Sequence, residues 1–267
     1  MLIDAHIHLE RGPYEPAWIR RFVAQAQAVG LGRIYLLEHS HRFREFAPIY
    51  GRAVTGDPAI DAYQRAWLER KRDKSLDDYR RLIEEIRGQA WPLEIRCGLE
   101  VCYFPGAEEE TRAILADFDG DFVTGSVHWI DGWGFDHPAI KDSWLGRDVD
   151  AVYRRYYEIV LALIDTRLFD HLAHPESIEC FGHHPGYDLT ETYRLVARAA
   201  KAAGIKVEYN NGLRVNYGRD VPGLCPAFLR ALLSAGVEIL TASDAHRPED
   251  VGRYVAEARE EIDRARA

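Results

Sequence analysis

Seven times along this chain a short apolar run of strand character gives way to a helical pattern. Nearly every run ends in histidine, aspartate, glutamate or asparagine. The runs cover residues 2–8, 33–37, 93–99, 121–127, 168–173, 205–209 and 237–242. Strands alternating with helices predict a parallel sheet with helices outside. The polar endings choose between an open and a closed sheet. A parallel barrel gathers all its C-terminal strand ends on one face, whereas an open sheet spreads them along a line. We therefore expect one α/β domain spanning 1–267, a seven-stranded (β/α)7 barrel of the TIM type; such barrels run to about 250 residues.

The intervening patterns fit that reading. Pro16 opens a helix whose apolar face is Trp18, Ile19, Phe22, Val23 and Ala26. Ser75, with Asp78 three residues on, opens another that reaches about Arg87. Asp188 and Glu191 suggest a capping box for the helix to Ala203, and Trp129 to Gly134 reads as a loop. Residues 43–74 fit no strand–helix unit. We read them as an insertion over one face, a solvated flap.

Residues i and i+2 of a strand point the same way, so His6 and His8 aim two imidazoles at one point. His39, Glu100, His128, His174, Asp244 and His246 stand at later strand ends. One such histidine is usually a pocket residue. Six of the eleven in the chain, with two carboxylates, would be costly to crowd together without a cation. Imidazole with carboxylate suits zinc, iron or manganese. Eight ligands exceed the needs of one ion and imply two or three divalent ions, which a carboxylate such as Glu100 can bridge. His171 competes with His174 for its place. Cys97, Cys102, Cys180 and Cys225 lack metal-type spacing and read as free thiols of a reducing compartment. The N-terminus lacks signal-peptide character and no run is long enough to span a bilayer, so we expect a cytoplasmic protein. A net charge of −9 argues against nucleic-acid binding but allows a small anionic substrate.

Seven motifs carry a resemblance: Asp4-Ala5-His6-Ile7-His8, Glu38-His39, Gly98-Leu99-Glu100, Ser126-Val127-His128, Ala173-His174, Tyr209-Asn210-Asn211-Gly212-Leu213-Arg214 and Ser243-Asp244-Ala245-His246-Arg247-Pro248-Glu249. Together they resemble the polymerase and histidinol phosphatase (PHP) superfamily of metallophosphoesterases, most closely its monofunctional histidinol-phosphatase branch, over essentially the whole chain. The resemblance implies a trinuclear centre on a distorted seven-stranded barrel. His6, His8, Glu100 and Asp244 would hold one ion. Glu100 would bridge to a second, completed by His128 and His174, and His39 and His246 would hold a third. A further ligand usually follows His-x-His; here Glu10 is favoured over Tyr14, carboxylate being the better donor.

The activity implied is hydrolysis of L-histidinol phosphate to L-histidinol and phosphate in histidine biosynthesis. A hydroxide bridging two ions would attack phosphorus in line, with Glu100, Asp244 and His246 catalytic. Asp244 or His246 would return a proton to the leaving alkoxide. Arg214, after the Asn-x-Gly turn, would grip phosphate with its fork, with Arg247 and Arg42 as further candidates. Glu10, Glu15 and Asp131 would receive the substrate's amine. Two other readings compete. One is a PHP phosphoesterase for another small ester or nucleotide; the other is a metal-binding accessory domain with little catalysis. A metal-dependent amidohydrolase would want a strand-end lysine where this chain has Glu100.

Overall fold

The computed structural model describes residues 1–267. Nine strands form: β1 Leu2–His8, β2 Leu31–His39, β3 Glu94–Cys102, β4 Phe122–Ser126, β5 Trp129–Ile130, β6 Trp133–Gly134, β7 His171–Leu172, β8 Lys206–Asn210 and β9 Ile239–Ala242. Seven make one sheet in the order β1-β2-β3-β4-β7-β8-β9, every neighbouring pair parallel. The helices are α1 Pro16–Ala28, α2 Ala47–Tyr50, α3 Pro58–Lys71, α4 Leu76–Arg87, α5 Glu108–Leu115, α6 Val149–Asp165, α7 Thr190–Ala203, α8 Gly212–Tyr217, α9 Pro226–Ala235 and α10 Val255–Arg266. The expected seven-stranded TIM-like barrel is present, nearly closed. None of its helices is long and apolar enough to cross a membrane.

The seam between β1 and β9 explains the distortion. A single parallel bridge, Ile7 to Ala245, joins them, with the His8 N–H donating to the Ala245 carbonyl at 2.8 Å. Side chains do the rest. Fully buried Asp4 accepts from the Ser243 N–H at 2.9 Å, the Ser243 hydroxyl at 2.5 Å and the Gly252 N–H at 2.8 Å. Burial lifts its carboxyl to about 6, against the pull of those donors.

β1 also solves a problem of direction. Ala5 packs into a cluster with Tyr35, Leu37, Phe122 and Leu240 at the barrel floor, while His6 and His8 meet the ligand group above. Strict alternation would send Ala5 and His6 to opposite faces. A register irregularity between Asp4 and Ile7 lets both face inward.

Two local expectations change. Trp129 to Gly134 is an antiparallel hairpin, turned by Asp131 and Gly132 at positive φ (48° and 83°). Asp188 accepts from the Thr190 N–H and hydroxyl, but Glu191 pairs with Arg194 and no reciprocal capping box forms. The box at Ser75 and Asp78 does form.

The 43–74 insertion is no solvated flap. Phe43, Phe46, Ile49 and Tyr50 join the main core. Buried Gln64 donates to the Ala53 and Gly132 carbonyls (3.1 and 2.9 Å) and accepts from the Gly134 N–H at 2.8 Å, pinning α3 to the hairpin. Arg42 closes its base, pairing with buried Glu38 at 3.1 Å and with Asp73 at 2.9 Å.

Candidate metal centre

The C-terminal strand ends converge as the barrel requires. His6 Nε2, His8 Nε2, Glu100 Oε2 and Asp244 Oδ1 form the tightest group. Their separations are 2.9 Å (His6–His8), 3.3 Å (His6–Glu100), 3.3 Å (His8–Glu100), 3.5 Å (His8–Asp244) and 3.7 Å (His6–Asp244). Four ligands at zinc distances around one ion stand about 3.4 Å apart. The donor set therefore has the spacing of one cation's shell. Glu100 Oε2 is buried, and no donor reaches it in hydrogen-bonding geometry. A buried carboxylate oxygen in that position is costly unless a cation meets it.

The other Glu100 oxygen looks elsewhere. Oε1 lies 2.7 Å from His128 Nε2 and 3.2 Å from His174 Nε2. One carboxylate thus serves two groups of imidazoles with its two atoms, the geometry of a bridge. Burial opposes its charge, but His39 and His128 hold it well below the ordinary carboxylate value.

The third group lies nearer the mouth. The His8, His39 and His246 rings come together, His39 stacked on His8 at 3.8 Å between centroids. His39 Nδ1 is also 2.8 Å from Glu100 Oε2, so His39 stands between the first and third groups. His246 Nδ1 lies 3.0 Å from the Asp244 carbonyl; its proton there leaves Nε2 bare, 3.8 Å from Glu10 Oε1. Glu10 is partly buried, and despite that His39, His246 and Lys71 hold it well below its ordinary value. Tyr14 does not line this cavity. His174 and Asp244 both take positive φ (23° and 59°), backbone strain of the kind that collects at functional sites. A Cβ on Gly212 would collide with Asp244 Oδ2, which is why the Asn-x-Gly turn needs its glycine.

The expected phosphate grip is corrected. After Gly212 the chain runs straight into α8, so Arg214 does not swing over the mouth. It pairs with Glu257 at 3.0 Å and lies over the Tyr254 ring at 3.6 Å, lining an outer groove. Arg42 is consumed by Glu38 and Asp73, and Arg247 is exposed outside the cavity. Glu15 stands at the start of α1 and Asp131 is held by Arg155 at 2.8 Å; neither lines the cavity. The cavity, about 350 Å³, has Arg11 and Lys71 as its lysine and arginine lining. His171 sits on the floor, against Tyr35 and Phe122.

No family model matches the chain. A probable histidinol-phosphatase from Deinococcus radiodurans is 30% identical over 264 residues, 98% of this chain and 92% of the relative. The chain belongs to the histidinol-phosphatase family. That family lies in the PHP superfamily and consists of phosphoric monoester hydrolases. Two solved structures share its fold. The hisK product of Listeria monocytogenes, a proposed histidinol phosphatase, superposes with a TM-score of 0.70 at 18% identity, covering 95% of this chain and 99% of that one. The histidinol phosphate phosphatase of Lactococcus lactis, solved with zinc, L-histidinol and phosphate, gives 0.67 at 18% identity, covering 99% and 93%.

In this histidinol-phosphatase family member, two buried carboxylates beyond the expected set complete the arrangement. Glu208 lies 3.0 Å from His6 Nδ1 through both oxygens and accepts from Asn210 Nδ2 at 2.8 Å. Asp136 lies 2.6 Å from His128 Nδ1. Each takes the far nitrogen of a ring and turns the near one to the site, the usual partnership of a metal-ligating histidine. The mid-strand position of Glu208, two residues before Asn210, is a sequence signal for an inward carboxylate. Asp136, in the loop after the hairpin, carries no such signal.

Proposed function

We propose that this chain hydrolyses L-histidinol phosphate to L-histidinol and phosphate, with two or three divalent ions of the zinc, iron or manganese type. His6, His8, Glu100 and Asp244 would hold one, Glu100, His128 and His174 a second, and Glu10, His39 and His246 a third. The observation that carries this reading is the division of Glu100, one oxygen to each of two imidazole groups. The Lactococcus lactis structure with zinc, L-histidinol and phosphate is its precedent.

Such ions supply what phosphate monoester hydrolysis needs: a water made acidic and neutralised phosphoryl charge. The chain's own groups do the rest. Glu208 and Asp136 fix the tautomers of His6 and His128. Asp244, which stands in the ligand group and lines the cavity, would take a proton from the attacking water and return it to the leaving alkoxide. His246 is the weaker proton carrier, because its Nδ1 proton is committed to a carbonyl and its Nε2 faces Glu10. Arg11 and Lys71 add positive charge where phosphate oxygens would enter.

Phosphate release should be measured across histidinol phosphate, nucleoside monophosphates and simple esters, on protein of known metal content. At least tenfold preference for histidinol phosphate is expected. A smaller preference overturns that substrate and leaves a broader phosphoesterase. Full metal content with no turnover of any ester would favour the accessory-domain reading.

A further inference from the structure

The wall opposite the ligand group comes from the insertion. Tyr63, Trp67 and Lys71 are spaced four apart and share one face of α3. All three line the cavity. The neighbouring face, Gln64 and Leu68, is buried and anchors the helix. Tyr63 and Trp67 are only half-buried, Trp67 resting partly against the core and both open to the cavity.

Rings run without a break from the ligand group to this wall. His39 stacks on His41 at 4.8 Å, and His41 meets Trp67 at 4.6 Å. Trp67 meets His137 edge-on at 4.5 Å, and His137 meets Trp129 at 5.3 Å and Tyr63 at 5.8 Å. Lys71 ties the end of α3 to Glu10 at 3.0 Å, which holds the wall at a fixed distance from the third group.

We propose that the Tyr63–Trp67 face of α3, with His137 and Trp129, is the leaving-group subsite, selecting phosphomonoesters whose alcohol carries a flat aromatic or heteroaromatic ring. This rests on the phosphomonoesterase reading above. The phosphate lies at the ligand group, and the ring packs edge-on or offset among the aromatic side chains, where such contacts are favourable. An imidazole meets the requirement; so does any planar ring a few bonds from the ester oxygen. Trp67 is then a specificity residue that touches substrate but not the reacting atoms.

The test compares esters with and without a ring on metal-loaded enzyme. For Trp67→Ala, KM for histidinol phosphate should rise about tenfold or more, while kcat stays within about threefold. Glycerol 3-phosphate should change by less than about threefold in both variants and metal content should not change, while Trp67→Phe should recover most of the loss. Equal losses on both esters, or none on the ringed one, would overturn the proposal. Binding gives the same answer without turnover. Calorimetry should find benzylphosphonate at least about fivefold tighter than methylphosphonate in the wild type and about equal in Trp67→Ala; equal affinities in the wild type overturn the proposal. p-Nitrophenyl phosphate separates the two readings. If the wild type prefers it to histidinol phosphate and Trp67→Ala loses that preference, the subsite stands and the histidinol assignment falls.

Discussion

Two ends of one barrel interior, a few residues apart on the same strands, have opposite chemistry. At the floor, Ala5, Tyr35, Leu37, Phe122 and Leu240 pack with one histidine, His171. At the rim, His39 follows Leu37 on the same side of β2, and the β9 chain passes from Leu240 to Asp244. The histidines differ by what holds their far nitrogen. His171 Nδ1 has only the Thr124 hydroxyl at 3.3 Å, and burial pushes its pKa down to about 4 against the pull of Glu208. His6 is more deeply buried, yet Glu208, Asp244 and Glu100 outweigh burial and raise it well above its ordinary value. Between these two histidines the difference is whether a carboxylate holds the far nitrogen.

The sharpest way to break this contrast is to remove charge at the rim without changing shape. Glu100→Gln takes away the one group that faces both imidazole sets. We expect loss of at least one ion and a fall of more than about a thousandfold in kcat/KM, with the melting temperature of the chelated protein little changed. Metal analysis beside kinetics checks it, and full occupancy with normal turnover would falsify the bridge. Glu208→Gln should do less, because His6 remains and only its orientation suffers. Metal affinity should drop about 10- to 100-fold. An unchanged titration with zinc would show that Glu208 is merely a packed carboxylate.

This contrast also explains what could be read without coordinates. The candidate ligands at the rim are legible because a parallel barrel collects strand ends whatever the sequence between them. Glu100, His128 and His174 announce themselves by position alone. Glu208 is easily passed over because it lies inside a strand, two residues short of the end where ligands are sought, although that spacing turns it inward. Arg214 misleads for a different reason. Its motif marks a turn, but only coordinates show that α8 starts there and carries the guanidinium to Glu257. The α3 wall is concealed by composition, since Tyr63 and Trp67 sit among charged residues in a stretch that reads as solvated. Its inward anchor is a glutamine, which periodicity of apolar residues overlooks.

A smaller effect tests the outer edge of the rim. Glu10 neighbours His246 at 3.8 Å and Lys71 at 3.0 Å, and nothing else in the third group is a carboxylate. Glu10→Ala should weaken one ion of three and lower kcat/KM by about tenfold, the scale of a lost supporting ligand. Equilibrium dialysis would show three ions held as tightly as before if the third group is complete without it.

The last expectation concerns the floor, where catalysis should be untouched. His171 is neutral in the folded chain with a pKa of about 4, against an ordinary 6.5 when unfolded. A histidine with a depressed folded pKa contributes full stability above the unfolded value and loses it as pH falls toward the folded one. The unfolded chain takes up the proton first, so acid favours unfolding. From about pH 7 to about pH 4.5 this group alone should cost the fold roughly 2 kcal/mol. His171→Gln keeps a hydrogen-bonding side chain beside Thr124 but cannot titrate. Urea unfolding of both proteins in chelator, at each pH, isolates the difference, because every rim histidine is common to the two. The variant should lose roughly 2 kcal/mol less than the wild type over that window, with kcat/KM at neutral pH within about twofold, the scale of a change that leaves the reacting groups alone. Equal acid losses would mean that His171 takes up its proton as readily in the fold as in the unfolded chain, and burial would then not set the floor histidine apart.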